Sequence, residues 1–237
     1  MPSAVVCLPT YNERENLEAM IRRLAGVGVR VLVIDDNSPD GTGEIADRLA
    51  SELDFVTVLH RERKEGLGPA YLAGFRHALA DGADLVLEMD CDFSHNPDDV
   101  QRLIAACEDG ADLALGSRYV AGGGTENWGI VRRVISWGGS LYARLLLGVS
   151  IRDLTGGFKC YRRNVLETID LDAVESKGYA FQIETTYRTL RRGFRVVEVP
   201  IRFVDRTEGQ SKMSRAIVLE AVTKVPALRL AAITGRL

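Results

Sequence analysis

Two aspartates separated by one residue, Asp90 and Asp92 in "LVLEMDCDFSHNPDD" (85–99), follow an apolar run. In an extended segment, side chains at i and i+2 project to the same side about 6–7 Å apart. The two carboxylates would then converge on one small cation while Cys91 turns into packing. Paired carboxylates repel, a divalent cation relieves the repulsion, and hard oxygen donors favour Mg²⁺ or Mn²⁺. A cation with only two carboxylate ligands keeps positions for water and for a substrate's phosphates. Taken alone, the same two residues also describe a solvated loop after a strand.

Two further loops carry candidate groups. In "VIDDNSPDGTGEIA", Asp35 and Asp36 close an apolar run and Ser38-Pro39-Asp40-Gly41 is turn chemistry. A carboxylate there can accept hydrogen bonds from a base or a ribose. In "LPTYNERE", Pro9, Tyr11 and Glu13 follow another apolar run. Tyr11 offers a ring for a nucleobase, and backbone N–H groups at the start of the next helix favour anions.

These loops need elements to hold them. The β-branched runs 3–8, 29–34, 55–59, 84–89 and 111–116 alternate with helical patterns, which reads as βαβ units on a mostly parallel sheet in an α/β fold. Ligands in such folds sit outside the carboxyl ends of the strands, so the loops after the first, second and fourth runs share one edge. Asn12 with Glu15, and Asn96-Pro97 with Asp99, read as helix starts. Asp98 and Asp99 favour the second of these through the helix dipole. Beyond residue 118 a Gly-rich loop precedes two amphipathic helices, "VRRVISWGGSLYARLLLG" and "KGYAFQIETTYRTLRRG", and "FRVVEVPIRFVDR" alternates like a strand, with Pro200 marking an edge or a bulge.

Composition narrows the classes. The 237 residues are 46% hydrophobic with a formal net charge of -3, which excludes a general nucleic-acid binder. Residues 1–117 carry 10 Lys and Arg against 22 Asp and Glu, whereas residues 118–237 carry 20 against 11. The first half therefore suits a cation and the second suits anionic groups. Cys7, Cys91, Cys107 and Cys160 are too scattered for a zinc site or a disulfide framework. No signal peptide and no spanning helix are expected.

Eight segments occur in order: "PTYNERENL", "IDDNSPDGT", "EGLGPAYLAGF", "MDCDFSHNP", "GSRYVAGGG", "DLTGGFKCYRR", "SKGYAFQIE" and "EVPIRFVDRTEGQSKM". Together they resemble the dolichyl- and polyprenyl-phosphate mannose synthases of inverting glycosyltransferase family two, from about residue 4 to 213. The resemblance implies a single GT-A (Rossmann-like) domain over 1–237, with 1–117 the nucleotide-sugar and metal half and 118–237 the acceptor-phosphate and membrane-facing half. It implies GDP-mannose as donor, a polyprenyl monophosphate as acceptor, and Mg²⁺ or Mn²⁺ as cofactor. Position by position, Pro9, Tyr11, Glu13, Ile34 and Asp36 would surround the guanosine. Asp90, Asp92 and the Cys91 backbone would hold metal and diphosphate, with Ser94 near the metal. Arg118 and Arg132 would meet the acceptor phosphate, and Arg206 and Lys212 would close over the phosphates. The family commonly has alanine where this chain has Cys91, a modest enlargement between two unchanged carboxylates.

A phosphate acceptor is already ionised near neutral pH, so no strong base is required, and Asp92 is assigned primarily to the metal, with a base role as its minor alternative. A single in-line displacement would invert the anomeric centre. The acceptor's lipid tail places the protein peripherally at the cytoplasmic face of a membrane. Segments 131–148 and 217–233 are candidate interfacial helices, with a separate membrane-anchoring partner as a further expectation. His60 and His77 read as structural, and so does His95, with phosphate contact as its alternative. Rival readings are a glucosyltransferase using UDP-glucose on the same acceptor, a nucleotide-binding module without transferase activity, and, least supported, a phosphatase whose first aspartate is the nucleophile.

Overall fold

The computed structural model describes residues 2–176, 178–205 and 215–237, the last segment with side chains from 222 onward. The five β-branched runs form β1 (Ala4–Thr10), β2 (Arg30–Asp35), β3 (Val56–His60), β4 (Leu85–Glu88) and β5 (Leu113–Ser117). Helices α1 (Leu17–Ala25), α2 (Thr42–Glu52), α3 (Leu67–Ala80) and α4 (Val100–Glu108) join them in alternation. The second half contributes β6 (Gly124–Glu126), α5 (Ile130–Leu147), β7 (Lys159–Arg162), α6 (Arg163–Thr168), α7 (Gly178–Arg191), β8 (Val196–Pro200), β9 (Arg202–Val204) and α8 (Arg215–Ile233).

The main sheet runs β3-β2-β1-β4-β7-β5-β8, and β6 pairs with β9 in a separate parallel ribbon. Strand β7 is antiparallel to both neighbours, whereas the other pairs in the main sheet are parallel. Apolar side chains of α1, α2 and α4 cover one face of the sheet, and those of α3, α6 and α7 cover the other. A third cluster joins α5, α7 and α8. Helix α3 lies so close to the sheet that a Cβ on Gly74 would fall 2.4 Å from Ile34 Cδ1. Glycine permits that approach without displacing the buried Ile34 and Cys7 side chains.

Three local expectations change. Helix α1 begins at Leu17 rather than just after Asn12. Asn12 adopts a left-handed conformation (φ 59°), and the Glu13 carbonyl accepts the N–H groups of Asn16 and Leu17. Asparagine tolerates that conformation, so the polar run is spent on a turn first. At the other start, the Asn96 side chain accepts from Asp98 N as expected, but a 3₁₀ turn over Pro97–Asp99 precedes α4. The segment "FRVVEVPIRFVDR" divides at Ile201 into β8, the edge of the main sheet, and β9 on the ribbon. Pro200 stands at the end of that edge strand, where its missing N–H costs no ladder bond.

Candidate active site

The carboxyl ends of β1, β2 and β4 meet at one edge, and the expected loops gather there. Strand β4 stops at Glu88, so Asp90 and Asp92 lie in the loop beyond it rather than in extended strand. Asp92 is 7% exposed, and its Oδ1 accepts the Ser94 amide at 3.0 Å around a left-handed Phe93 (φ 59°). Asp90 Oδ1 accepts from the Tyr71 hydroxyl at 3.3 Å. The Asp90 amide donates to His95 Nδ1 at 3.2 Å, which fixes the neutral tautomer with its proton on Nε2. Cys91 turns into the core, as its position between the two aspartates suggested.

Beneath this loop a buried polar network ties three elements together. Glu88 and Lys159 face each other across the β4–β7 ladder, both wholly buried. Lys159 Nζ donates to the Gln182 carbonyl (2.9 Å), Gln182 Oε1 (2.5 Å) and Thr185 Oγ1 (3.1 Å) on α7. The Tyr161 hydroxyl is 2.9 Å from Glu88 Oε1 and 3.1 Å from Thr185 Oγ1. Burial pulls the Lys159 ammonium down to about 8, partly offset by Glu88, and pushes the Glu88 carboxyl up against the pull of Lys159. Such a network is stable only when its charges keep their partners, so it fixes the floor on which the aspartate loop stands.

On the nucleotide side the two neighbouring aspartates separate by role. Asp35 is buried and accepts from Ser38 N (3.1 Å), Ser38 Oγ (2.6 Å) and Thr10 Oγ1 (3.1 Å), which makes it part of the turn. Asp36 pairs with Arg61 (Nη1 to Oδ1 2.6 Å), a residue that spacing did not single out. Burial raises the Asp36 carboxyl and Arg61 opposes that rise. Tyr11 is half-buried with Lys64 Nζ 3.9 Å from its ring centroid. Glu13 accepts from Asn16 Nδ2 at 3.0 Å, and its amide donates to Thr42 Oγ1 at 3.0 Å. Pro9 aligns with Ile34 across the β1–β2 pair. Ile34 is wholly buried in the core, so the structure does not expose it to a ligand.

Across the site stands a cationic wall. Arg118 follows β5 and is 7% exposed; its Nε and Nη2 donate to the two Asp153 oxygens at 2.7 and 2.6 Å, and Nη2 also to Thr155 Oγ1 at 2.9 Å. Burial works against the Arg118 charge, but the Asp153 carboxylate outweighs it and raises the guanidinium further. Arg118 Nη1 makes no hydrogen bond to a described residue. Arg132, in the first turn of α5, pairs with Asp205 at 2.5 Å. Both guanidinium carbons lie over the Trp128 ring, at 5.5 Å for Arg118 and 4.3 Å for Arg132. Trp128 meets Phe203 edge-on at 5.3 Å, Phe203 meets His95 at 5.2 Å, and His95 stacks on Phe158 at 4.8 Å. The Val204 amide donates to the Ser94 carbonyl at 3.2 Å, so the ribbon is bonded directly to the aspartate loop.

This arrangement fits a divalent cation. Ser94 Oγ is buried without a hydrogen-bond partner among the described residues, in the same loop as Asp90 and Asp92, and these hard oxygens are of the type that suits Mg²⁺ or Mn²⁺. Among the described residues no group of three or more His, Cys, Asp and Glu side chains gathers as a closed metal cage. Arg206 and Lys212 lie outside the described residues. His60 reads as structural in the fold too, 2.8 Å from Asp47. Sequence pattern did not reveal Asp153, Tyr71 or Trp128, whose importance is a matter of what they touch.

Comparison with known proteins identifies the family and the fold. The model of the glycosyl transferase family 2 matches residues 5–170. A polyprenol monophosphomannose synthase of Mycolicibacterium smegmatis is 54% identical over 224 residues, covering 93% of this chain and 84% of that protein. An undecaprenyl-phosphate mannosyltransferase of Micrococcus luteus is 53% identical over 227 residues, covering 95% and 93%. Among solved structures, the glucosyl-3-phosphoglycerate synthase of Mycobacterium tuberculosis, in complex with Mn²⁺, UDP and glucosyl-3-phosphoglycerate, superposes with a TM-score of 0.65 at 20% identity. It covers 99% of this chain and 80% of its own. The fold is therefore GT-A, and the chain belongs to glycosyl transferase family 2, alongside the polyprenyl-phosphate mannose synthases.

Proposed function

We propose that this glycosyltransferase moves mannose from GDP-mannose to a polyprenyl monophosphate, inverting the anomeric centre to give a β-linked mannosyl phosphate and GDP. The observation that carries the reading is the ring chain His95–Phe203–Trp128, which links the aspartate loop to the guanidinium pair of Arg118 and Arg132. The loop suits a metal-bound diphosphate and the guanidinium pair suits a phosphate nucleophile. The names of the similar enzymes supply the mannose and the lipid.

Asp90, Asp92 and Ser94 are the residues that would hold Mg²⁺ or Mn²⁺, which when bound neutralises charge on the departing diphosphate. Asp36 with Arg61, and the Tyr11 ring, form the nucleoside side together with Pro9 and Glu13. Arg118 and Arg132 orient an acceptor oxygen that is already ionised, so no side chain has to remove a proton. Arg206 and Lys212 are assigned to the diphosphate as the matching positions of the family pattern.

A transfer assay with farnesyl phosphate tests the reading. GDP-mannose with Mg²⁺ or Mn²⁺ is expected to give a β-linked product and UDP-glucose to give none; an α-linked product, or transfer from UDP-glucose alone, removes it.

The acceptor is a lipid, and the surface agrees with one. Every exposed large apolar side chain among the described residues lies on α5 or α8, including Ile130 (78%), Val131 (73%), Leu145 (72%) and Ile233 (69%). The two helices are joined by Tyr142 Oη donating to the Val222 carbonyl and by Arg229 donating to the Leu147 carbonyl. Among the described residues no helix is long and apolar enough to cross a membrane. A contiguous apolar face flanked by Arg133 and Arg144 is what an interfacial surface uses. The protein should float with anionic vesicles, and Val131→Glu/Leu145→Glu should abolish flotation while transfer to detergent-dispersed acceptor persists. Undiminished flotation of that variant would exclude the α5–α8 face.

A further inference from the structure

Trp128 is 8% exposed, and its indole Nε1–H has no hydrogen-bond partner among the described residues. An indole N–H taken out of water normally finds an acceptor, because leaving it unpaired forfeits its hydration. What surrounds this ring is the reverse of an acceptor. The guanidinium of Arg132 is 4.3 Å from the ring centroid, that of Arg118 is 5.5 Å away, and Phe203 closes on it edge-on at 5.3 Å. Each guanidinium already holds one carboxylate, so what the site lacks is an acceptor for the indole donor. Arg132 takes Asp205, and Arg118 holds Nε and Nη2 on Asp153 while Nη1 has no described partner.

We propose that Trp128 is a binding residue for the phosphate monoester of the acceptor, its Nε1–H donating to a phosphate oxygen that Arg118 and Arg132 also face. The assignment rests on the acceptor site proposed above and adds to it a neutral donor. A phosphate monoester has three terminal oxygens to satisfy. Two guanidiniums alone would bind any compact anion, whereas a fixed donor in a rigid ring demands an oxygen at one place. The ring has a second effect on the same site. Its π-face attracts both guanidiniums and so lowers the cost of holding two like charges near each other.

The test separates donor from ring. Trp128→Phe keeps an aromatic face for both arginines and removes only the N–H. Titration calorimetry with farnesyl phosphate is expected to show binding about ten-fold weaker than in the unaltered protein, with the KM for GDP-mannose unchanged. The chain has two tryptophans, so its ¹⁵N-indole spectrum holds two N–H resonances, and Trp128→Phe identifies one of them. That resonance should move downfield with farnesyl phosphate. Inorganic phosphate producing the same shift would still place an anion there and assign the recognition to phosphate rather than to the lipid ester. Equal farnesyl phosphate affinity in the two proteins, or a resonance that moves only with GDP and Mg²⁺, overturns the assignment while leaving the acceptor site standing. If the unaltered protein binds no farnesyl phosphate at all, the acceptor site and the role of Trp128 fall together.

Discussion

Replacing Asp92 with alanine is expected to lower kcat for mannosyl transfer by at least about 10³-fold while the protein stays folded. The effect is large because a carboxylate aimed at a metal-bound diphosphate acts where charge develops on the leaving group, and one such preorganised electrostatic contact removed costs about 10²–10³ by itself. Losing affinity for the divalent ion adds to that. Asp92 Oδ1 also receives the Ser94 amide, and a charge-assisted bond of that kind is worth about 1.5–3 kcal/mol. Steady-state transfer, Mn²⁺ titration and a thermal melt measured side by side check the prediction. Loss of transfer with weakened Mn²⁺ binding and a still cooperative melt lowered by several degrees is the expected pattern. Unchanged transfer would take the aspartate pair out of the mechanism and favour a nucleotide-binding module.

The second large effect is expected at a residue that touches no substrate. Asp153 is wholly buried and neutralises Arg118, itself 7% exposed, through Nε and Nη2, and it also accepts the Arg118 amide at 2.9 Å. Asp153→Ala would leave a guanidinium buried without its counter-charge, which costs about 3–5 kcal/mol in pairs of this kind. In a domain of this size that is a drop of about 10 °C in Tm. Transfer should fall with it, because the freed guanidinium no longer presents one fixed face to the acceptor. Arg118→Met combined with Asp153→Ala distinguishes the two consequences. The double variant carries no unpaired charge, so much of the lost stability should return, whereas activity should not. A double variant as unstable as Asp153→Ala would show that Asp153 matters through its loop contacts and not through the pair.

The buried Glu88–Lys159 network shows why some of this was hidden in the sequence. "KCYR" at 159–162 has two basic residues in four, which argues against a central strand. Yet β7 lies in the middle of the sheet with Lys159 fully buried. The charge is tolerated because Gln182 and Thr185 on α7, twenty-three and twenty-six positions away, supply its acceptors. No local pattern encodes an acceptor that arrives from another element. The same holds for Arg118: the family resemblance alone marked it as a phosphate ligand, and only packing revealed that two of its nitrogens are held by Asp153.

What the sequence determined by itself was whatever depends on short range and on order. Short β-branched runs alternating with helical patterns specified the parallel half of the sheet, and turn residues after β1, β2 and β4 placed the acidic loops at one edge. The spacing of Asp90 and Asp92 around Cys91 marked them as a candidate pair, and the end of β4 at Glu88 put both in the loop beyond the strand. Eight ordered segments identified the family. Tertiary structure decided the rest: that β7 enters the sheet antiparallel, that Asp35 serves the turn while Asp36 faces Arg61, and that His95, Phe203 and Trp128 bridge the two walls. Backbone periodicity is written in neighbouring residues. Which buried charge meets which partner, and which donor is left without one, is settled only when distant segments pack together in low dielectric.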